Sequence, residues 1–326
     1  MTKLMLVGDV HLSDRPPSLR TDTYTEDILA KLQFIVDHAA SEDCEAVVLA
    51  GDVFHVKTPT RNSHALVQST GEVLRSRGLP VWIVPGNHDL SNDRLDSLKK
   101  QPLGTLAKMV GIDLLLGPHK SLPLFGLPYL ADWATDLPRW MSLYRKWAQQ
   151  NKEQDMEFWP LMVTHAPIFP PGEEPPYEFI AGDEWAQLME NGDCYYGHIH
   201  DPHGVYKPAE DYPVNLCNNG AISRGSLHEA TLKREPKVTI WDNSVTWPYA
   251  FKAVPVPHRP AEAVFRLREK EDIDEKTSRV EEFLDSIGST RLDGLSLEEV
   301  SAQAKIRGLA PRTISLIDEL LEEANA

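Results

Sequence analysis

Short apolar runs that stop at glycine alternate with longer helical patterns through the first half of the chain. Lys3 to Val7 is an apolar run that stops at Gly8-Asp9, and it predicts a strand. Thr25 to Ala39 sets Ile28, Leu29, Leu32, Ile35 and Val36 at helical spacing. Glu45 to Ala50 predicts a second strand, ending at Gly51-Asp52, and Ser63 to Arg77 predicts a helix closed by Gly78. Pro80 to Val84 predicts a third strand, running into Pro-Gly-Asn-His-Asp. Strands joined by helices imply a mostly parallel sheet with both faces covered, an α/β fold.

The middle of the chain continues this rhythm. Leu114 to Leu116, Leu122 to Leu127, Phe158 to Thr164 and Asp193 to Gly197 read as strands, and Leu137 to Gln150 as an amphipathic helix. Val214 to Cys217, Lys237 to Asp242 and Val245 to Val256 read as strands with little helix between them. Prolines cluster from Val254 to Pro260, which places a boundary there: one domain over 1–254, and a small, charged, mostly helical module over 255–326. Helices are expected in that module at Asp272 to Ser286, Ser296 to Lys305 and Pro311 to Glu323. The last carries Ile314, Ile317, Leu320 and Leu321 on one face.

The polar residues that close the strands repeat a theme. They are Asp9-Val10-His11, Gly51-Asp52, Gly86-Asn87-His88-Asp89, Thr164-His165 and Gly197-His198-Ile199-His200. In an open α/β sheet, ligands bind beyond the carboxyl ends of the strands. Any one of these segments alone is a weak signal; five in order, each closing a buried strand, place metal-binding side chains on one rim. Imidazole with carboxylate suits manganese, iron or zinc. A carboxylate can bridge two ions, which makes Asp52 the natural shared ligand, while Asn87 adds a neutral oxygen. Two cations roughly 3.5–4 Å apart clamp a phosphate and acidify water.

This ordered set resembles that of the calcineurin-like metallophosphoesterases, over roughly residues 1–230. The resemblance implies a β-sandwich with flanking helices, in four layers α-β-β-α. It implies that Asp9, His11, Asp52 and His200 hold one divalent ion and that Asp52, Asn87, His165 and His198 hold the other. Mn2+ is expected, with Fe or Zn as alternatives. His88 is similar to the family's non-ligand histidine, which contacts the scissile phosphate, and Asp89 to the carboxylate that orients it. Within the superfamily, Gly51-Asp52-Val53-Phe54-His55 and Asn219-Gly220-Ala221-Ile222-Ser223-Arg224 resemble segments of SbcD-type DNA repair nucleases. That closer resemblance implies DNA as substrate, an SbcC-like ATPase as partner, and His55 as a second catalytic side chain. Alternatives from other classes are a small-molecule nucleotide phosphodiesterase or pyrophosphatase, and a metal-bearing scaffold subunit of an ATPase complex.

Composition adjusts this picture in three ways. The net charge of −16 argues against a general nucleic-acid coat, though not against an enzyme whose site carries its own cations. Cys44, Cys194 and Cys217 lack metal-site spacing and read as buried thiols, which fits a reducing cytoplasm. No apolar run reaches 18 residues and the N-terminus lacks the pattern of a secretory signal, so no membrane association is expected. Trp133, Trp140, Trp147 and Trp159 read as core or as a homodimer face. Arg145-Lys146 and Lys233-Arg234 read as solvated surface.

Overall fold

The computed structural model describes residues 2–267, apart from Ser18, Met156, 226–228 and 246–249. The strands are Lys3–Val7 (β1), Ala46–Leu49 (β2), Val81–Ile83 (β3), Ile112–Leu114 (β4), Gly117–Pro118 (β5), Leu124–Leu127 (β6), Leu161–His165 (β7), Ile168–Phe169 (β8), Ile180–Ala181 (β9), Gly192–Gly197 (β10), Gly204–Tyr206 (β11), Val214–Asn218 (β12), Lys237–Asp242 (β13) and Phe251–Pro255 (β14). The longer helices are Tyr24–Ser41 (α1), His64–Leu74 (α2), Trp133–Gln154 (α3) and Gly182–Met189 (α4).

Two six-stranded sheets form, where the alternation of elements alone implied a single one. Their orders are β14-β13-β1-β2-β3-β4 and β11-β12-β10-β7-β6-β5. In the first, β1 to β4 run parallel and β13 joins antiparallel to β1. In the second, β6, β7, β10 and β12 run parallel. A parallel strand buried on both faces needs apolar residues at every position, and the sequence provides them. Met5, Val7, Val47 and Leu49 pack against α1 and α2. Leu4, Leu6, Ala46 and Val48 point the other way, onto Leu161, Val163, Tyr195 and Cys217 of the second sheet. The outer face of that sheet is covered by α3 and α4 through Leu137, Met141, Tyr144, Trp185 and Met189. The layers are therefore α-β-β-α. All three cysteines are buried and free.

Several boundaries differ from the sequence pattern. Helix α3 begins at Trp133, four residues before Leu137, because Asp132 caps it by accepting from the Thr135 N–H at 3.0 Å. Pro138 sits inside the helix. Helix α4 was not foreseen; its eight residues are too few for a clear period. The strand expected from Val245 begins at Phe251. Compact units divide at Met1–Phe265 and Arg266–Ala326, eleven residues beyond the boundary expected after residue 254. Val264 and Phe265 are buried in the first unit. Phe265 lies 5.0 Å under the Arg20 guanidinium, and Arg224 donates to the Arg259 carbonyl. The three helices expected after Asp272 lie outside the described residues.

Candidate metal centre

The parallel strands of both sheets end at the same edge, and the candidate side chains follow directly. Asp9 and His11 come after β1, Asp52 after β2, Asn87 and His88 after β3, His165 ends β7, and His198 and His200 follow β10. The backbone must turn hard there. His11, Asp52 and His198 all adopt positive φ, at 52°, 50° and 84°. Such conformations cost non-glycine residues of order 1–3 kcal/mol and concentrate at functional sites. Gly51 has φ 98°, and a Cβ on it would meet His165 Nδ1 at 2.3 Å. A Cβ on Gly86 would meet Asp52 Oδ1 at 2.2 Å. Both glycines are therefore fixed by close approach to candidate ligands.

The seven candidate ligand side chains converge into two adjoining nests. In one, His11 Nε2 lies 2.9 Å from His200 Nε2, and Asp9 Oδ1 lies 3.8 and 3.7 Å from these two nitrogens. In the other, His165 Nε2 lies 3.1 Å from Asn87 Oδ1 and 3.3 Å from His198 Nδ1. His198 Nδ1 is itself 3.2 Å from Asn87 Oδ1. Asp52 Oδ2 stands between them, 3.7 Å from His11 Nε2 and 3.4 Å from His165 Nε2. The other Asp52 oxygen accepts the His88 backbone N–H at 2.8 Å. Donor atoms bonded to one cation at about 2.1 Å and at right angles sit about 3 Å apart. The shorter separations match that edge.

Electrostatics supports the same fit. Asp9 and Asp52 are buried, and among the described residues every ion-pair partner within 4.0 Å of either is a histidine. Buried carboxylates with no resident cation are costly. Burial opposes charge on Asp52, but the His165 and His11 rings hold its carboxyl well below the usual carboxylate range. Burial likewise opposes charge on His165, yet Asp52 and Asp9 raise it to about 9. Burial and then His165 push His198 down to about 3. The site draws positive charge to its centre. His165 donates through Nδ1 to the Ala50 carbonyl at 2.7 Å, which leaves Nε2 for a ligand.

His88 and His55 lie on the open side of the nests. Their rings stack at 5.5 Å with 16° between planes, and His88 meets His11 edge-on at 5.0 Å. His88 Nδ1 donates to the His55 carbonyl at 2.6 Å, so Nε2 remains free. Among the described residues, Asp89 makes no hydrogen bond to the His88 ring. Its carboxylate accepts from the N–H groups of Val53, Phe54 and Gly86 at 3.1 to 3.3 Å, knitting two ligand loops together. The group on the His88 ring is the His55 carbonyl. Burial and then the Asp52 charge push Asp89 up to about 7.

Other residues around the rim gave no sequence signal. Tyr24 donates its hydroxyl to the His11 carbonyl at 3.1 Å. Asn218 donates to the carbonyls of Tyr196 and Ile199 and shapes the loop carrying His198 and His200. Arg234, expected at the surface, is buried and donates to the His200 carbonyl at 2.8 Å and the Ser223 carbonyl at 2.7 Å. A buried arginine looks like a surface one until its carbonyl partners are known. Tyr129 faces the His198 ring at 5.7 Å.

Residues 2–202 match the family model described as calcineurin-like phosphoesterase. The chain belongs to that family. It is 34% identical over 99 residues to the "DNA double-strand break repair protein Mre11" of Aeropyrum pernix, covering 30% of this chain and 24% of that protein. A protein of the same name from Saccharolobus solfataricus is 32% identical over 135 residues, covering 40% and 34%. A "probable cyclic nucleotide phosphodiesterase" of Psychrobacter arcticus is 26% identical over 99 residues, covering 29% and 34%. The matches span no more than 34% of these relatives' lengths. Among the described residues, no helix is long and apolar enough to cross a membrane.

Proposed function

We propose that the chain is a dinuclear phosphodiesterase that cleaves DNA, in the manner of an SbcD-type repair nuclease. The observation that carries the dinuclear reading is Asp52 Oδ2, within 3.7 Å of a nitrogen in each nest. Asp9, His11, Asp52 and His200 would hold one divalent cation, and Asp52, Asn87, His165 and His198 the other, with manganese suited to this mixture of imidazole and carboxylate. When bound, the cations supply charge for the phosphate oxygens and acidify water for attack on phosphorus.

The protein's own groups do the rest. Ala50 and His165 fix one imidazole tautomer, and the Asp89 clamp keeps the Asp52 and Asn87 loops at constant separation. His88, anchored through Nδ1, presents Nε2 on the open side, where it can hold a proton for the departing oxygen. His55 stacks behind it, and burial together with His88 holds the His55 imidazole below its ordinary value. The stacked pair and the two Mre11 matches favour DNA as substrate. The cyclic nucleotide phosphodiesterase match favours a small nucleotide as the second reading. The C-terminal residues 259–326, with net charge −6 from 10 basic and 16 acidic residues, would serve an SbcC-like ATPase rather than grip DNA.

The deciding experiment offers three substrates in Mn2+ to full-length protein: linear DNA, a cyclic nucleotide and bis-p-nitrophenyl phosphate. Cleavage of DNA and of the aryl diester, both abolished by EDTA, is expected. Turnover of the cyclic nucleotide with intact DNA would transfer the assignment to the second reading.

A further inference from the structure

A groove of about 740 Å³ opens beside the rim. Tyr129 belongs to both places: it lines the groove, and its ring lies 5.7 Å from that of His198 and 6.2 Å from that of His165. Arg139, Trp140, Leu143 and Lys146 line the groove from one face of α3, at the three- and four-residue spacing that stacks side chains along a helix. The turn 91–96 closes it with Arg94. That turn is strained, with φ 50° at Asn92 and 55° at Asp93, and Lys57 ties it to the His55 loop by a 2.7 Å ion pair with Asp93.

Charge in the groove is unevenly committed. Of its three carboxylates, Asp93 is paired with Lys57 and Asp96 with Arg94 at 2.7 Å. Asp136, in the first turn of α3, is left against two cations, Arg139 and Lys146, that make no ion pair among the described residues. These uncommitted cations stand beside the rim of a chain whose net charge is −16. Leu143 is 44% exposed there, one of few large apolar side chains so placed, and Trp140 is half-buried next to it. Uncommitted cations interleaved with aromatic faces are what a groove for single-stranded nucleic acid requires, because every base has a face to stack and every phosphate a charge to meet. Arg139 and Lys146 are seven residues apart, about 10 Å along the helix. A run of phosphates fills that span and a single one does not.

We propose that this groove receives the DNA strand that continues from the scissile phosphate, with bases against Tyr129 and Trp140 and phosphates against Arg139 and Lys146. The proposal rests on the nuclease reading above and adds to it the path and the single-stranded form of the substrate.

The test uses full-length protein, Mn2+, and 5′-labelled oligothymidylates from the dinucleotide to the octanucleotide. Wild-type KM should fall about 10-fold or more as the strand lengthens, since each stacked base contributes about 1–3 kcal/mol. The Arg139→Glu/Lys146→Glu variant, altered only at exposed side chains, should lose that length dependence while kcat on the octanucleotide stays within about twofold. Its binding should also lose salt dependence, by about 0.7 in the log–log slope per phosphate contact removed. Trp140→Phe, which keeps a stacking face, should retain the length dependence that Trp140→Ala loses. A length-independent wild-type KM, or a double variant that matches wild type on the octanucleotide, would overturn the groove and leave the nuclease standing. No cleavage of any oligonucleotide alongside turnover of a small diester would instead remove the nuclease reading, and the groove with it.

Discussion

Two clusters of buried charge meet through the segment Ala221–Arg224, and they answer the cost of burial in opposite ways. On one side, Ala221 and Ile222 donate backbone N–H groups to the carbonyls of His200 and Asp9. On the other, Lys31, Arg234 and Arg20 donate to the carbonyls of Ile222, Ser223 and Arg224. The second cluster contains its own counterions. Arg20 grips Asp22 through two hydrogen bonds, of 2.8 and 2.5 Å, and Asp27 pairs with Lys31 at 3.2 Å. At the rim, among the described residues, the ion-pair partners of Asp9 and Asp52 are all histidines. A charge taken out of water must be paired. Where the chain supplies carboxylates, lysine and arginine together the cluster is scaffold; where histidines alone face the carboxylates, we propose that cations from outside complete it.

Breaking the rim should have the largest effect. Excess EDTA should reduce phosphodiester hydrolysis to background, and Mn2+ should restore it; full activity in EDTA would remove the need for outside cations. His88→Gln comes next, because it touches chemistry without touching the nests. A general acid–base group contributes about 100- to 10,000-fold, so the rate should drop in that range while metal content per chain stays at the wild-type value. Metal lost in proportion to rate would make His88 structural.

The scaffold cluster should fail differently. Arg20→Met leaves the buried Asp22 side chain with only the longer 3.9 Å contact to Arg259 among the described residues, and should cost about 3–5 kcal/mol of stability, read from the urea midpoint. Metal bound per folded chain should be unchanged, whereas parallel loss of both would mean the clusters act as one. The smallest effect sharpens the C-terminal limit of the scaffold. Ending the chain after Phe265 should leave aryl diester hydrolysis within about twofold, since the candidate ligands and His88 all lie between Asp9 and His200, before that point. Ending it before Arg259 removes the carbonyl that Arg224 binds and the ring under Arg20, and stability should fall.

The rim was legible because its signal is local: an apolar run, a glycine and a metal-binding side chain, repeated at strand ends. The parallel strands and α1 and α2 were legible for a similar reason, since burial forces their patterns. What could not be read depends on contacts between distant residues. Nothing in the pair Lys233-Arg234 distinguishes a surface cation from one sunk against the His200 carbonyl. Asp89 sits in the motif beside His88, yet its acceptors face Val53, Phe54 and Gly86, a geometry set by how two loops pack. The division into two sheets was hidden from the strand pattern, because strands of both sheets carry the same one; the family resemblance implied it, and the pairing of β1 with β13 and of β7 with β10 shows it.

The bridging position of Asp52 can be tested by counting and coupling the ions. Wild-type protein loaded with Mn2+ should hold two ions per chain and show the electron paramagnetic resonance of an exchange-coupled pair. Asp52→Ala, measured under the same loading, should retain neither ion tightly and show only free Mn2+. Two tightly held, still coupled ions in Asp52→Ala would contradict the shared carboxylate.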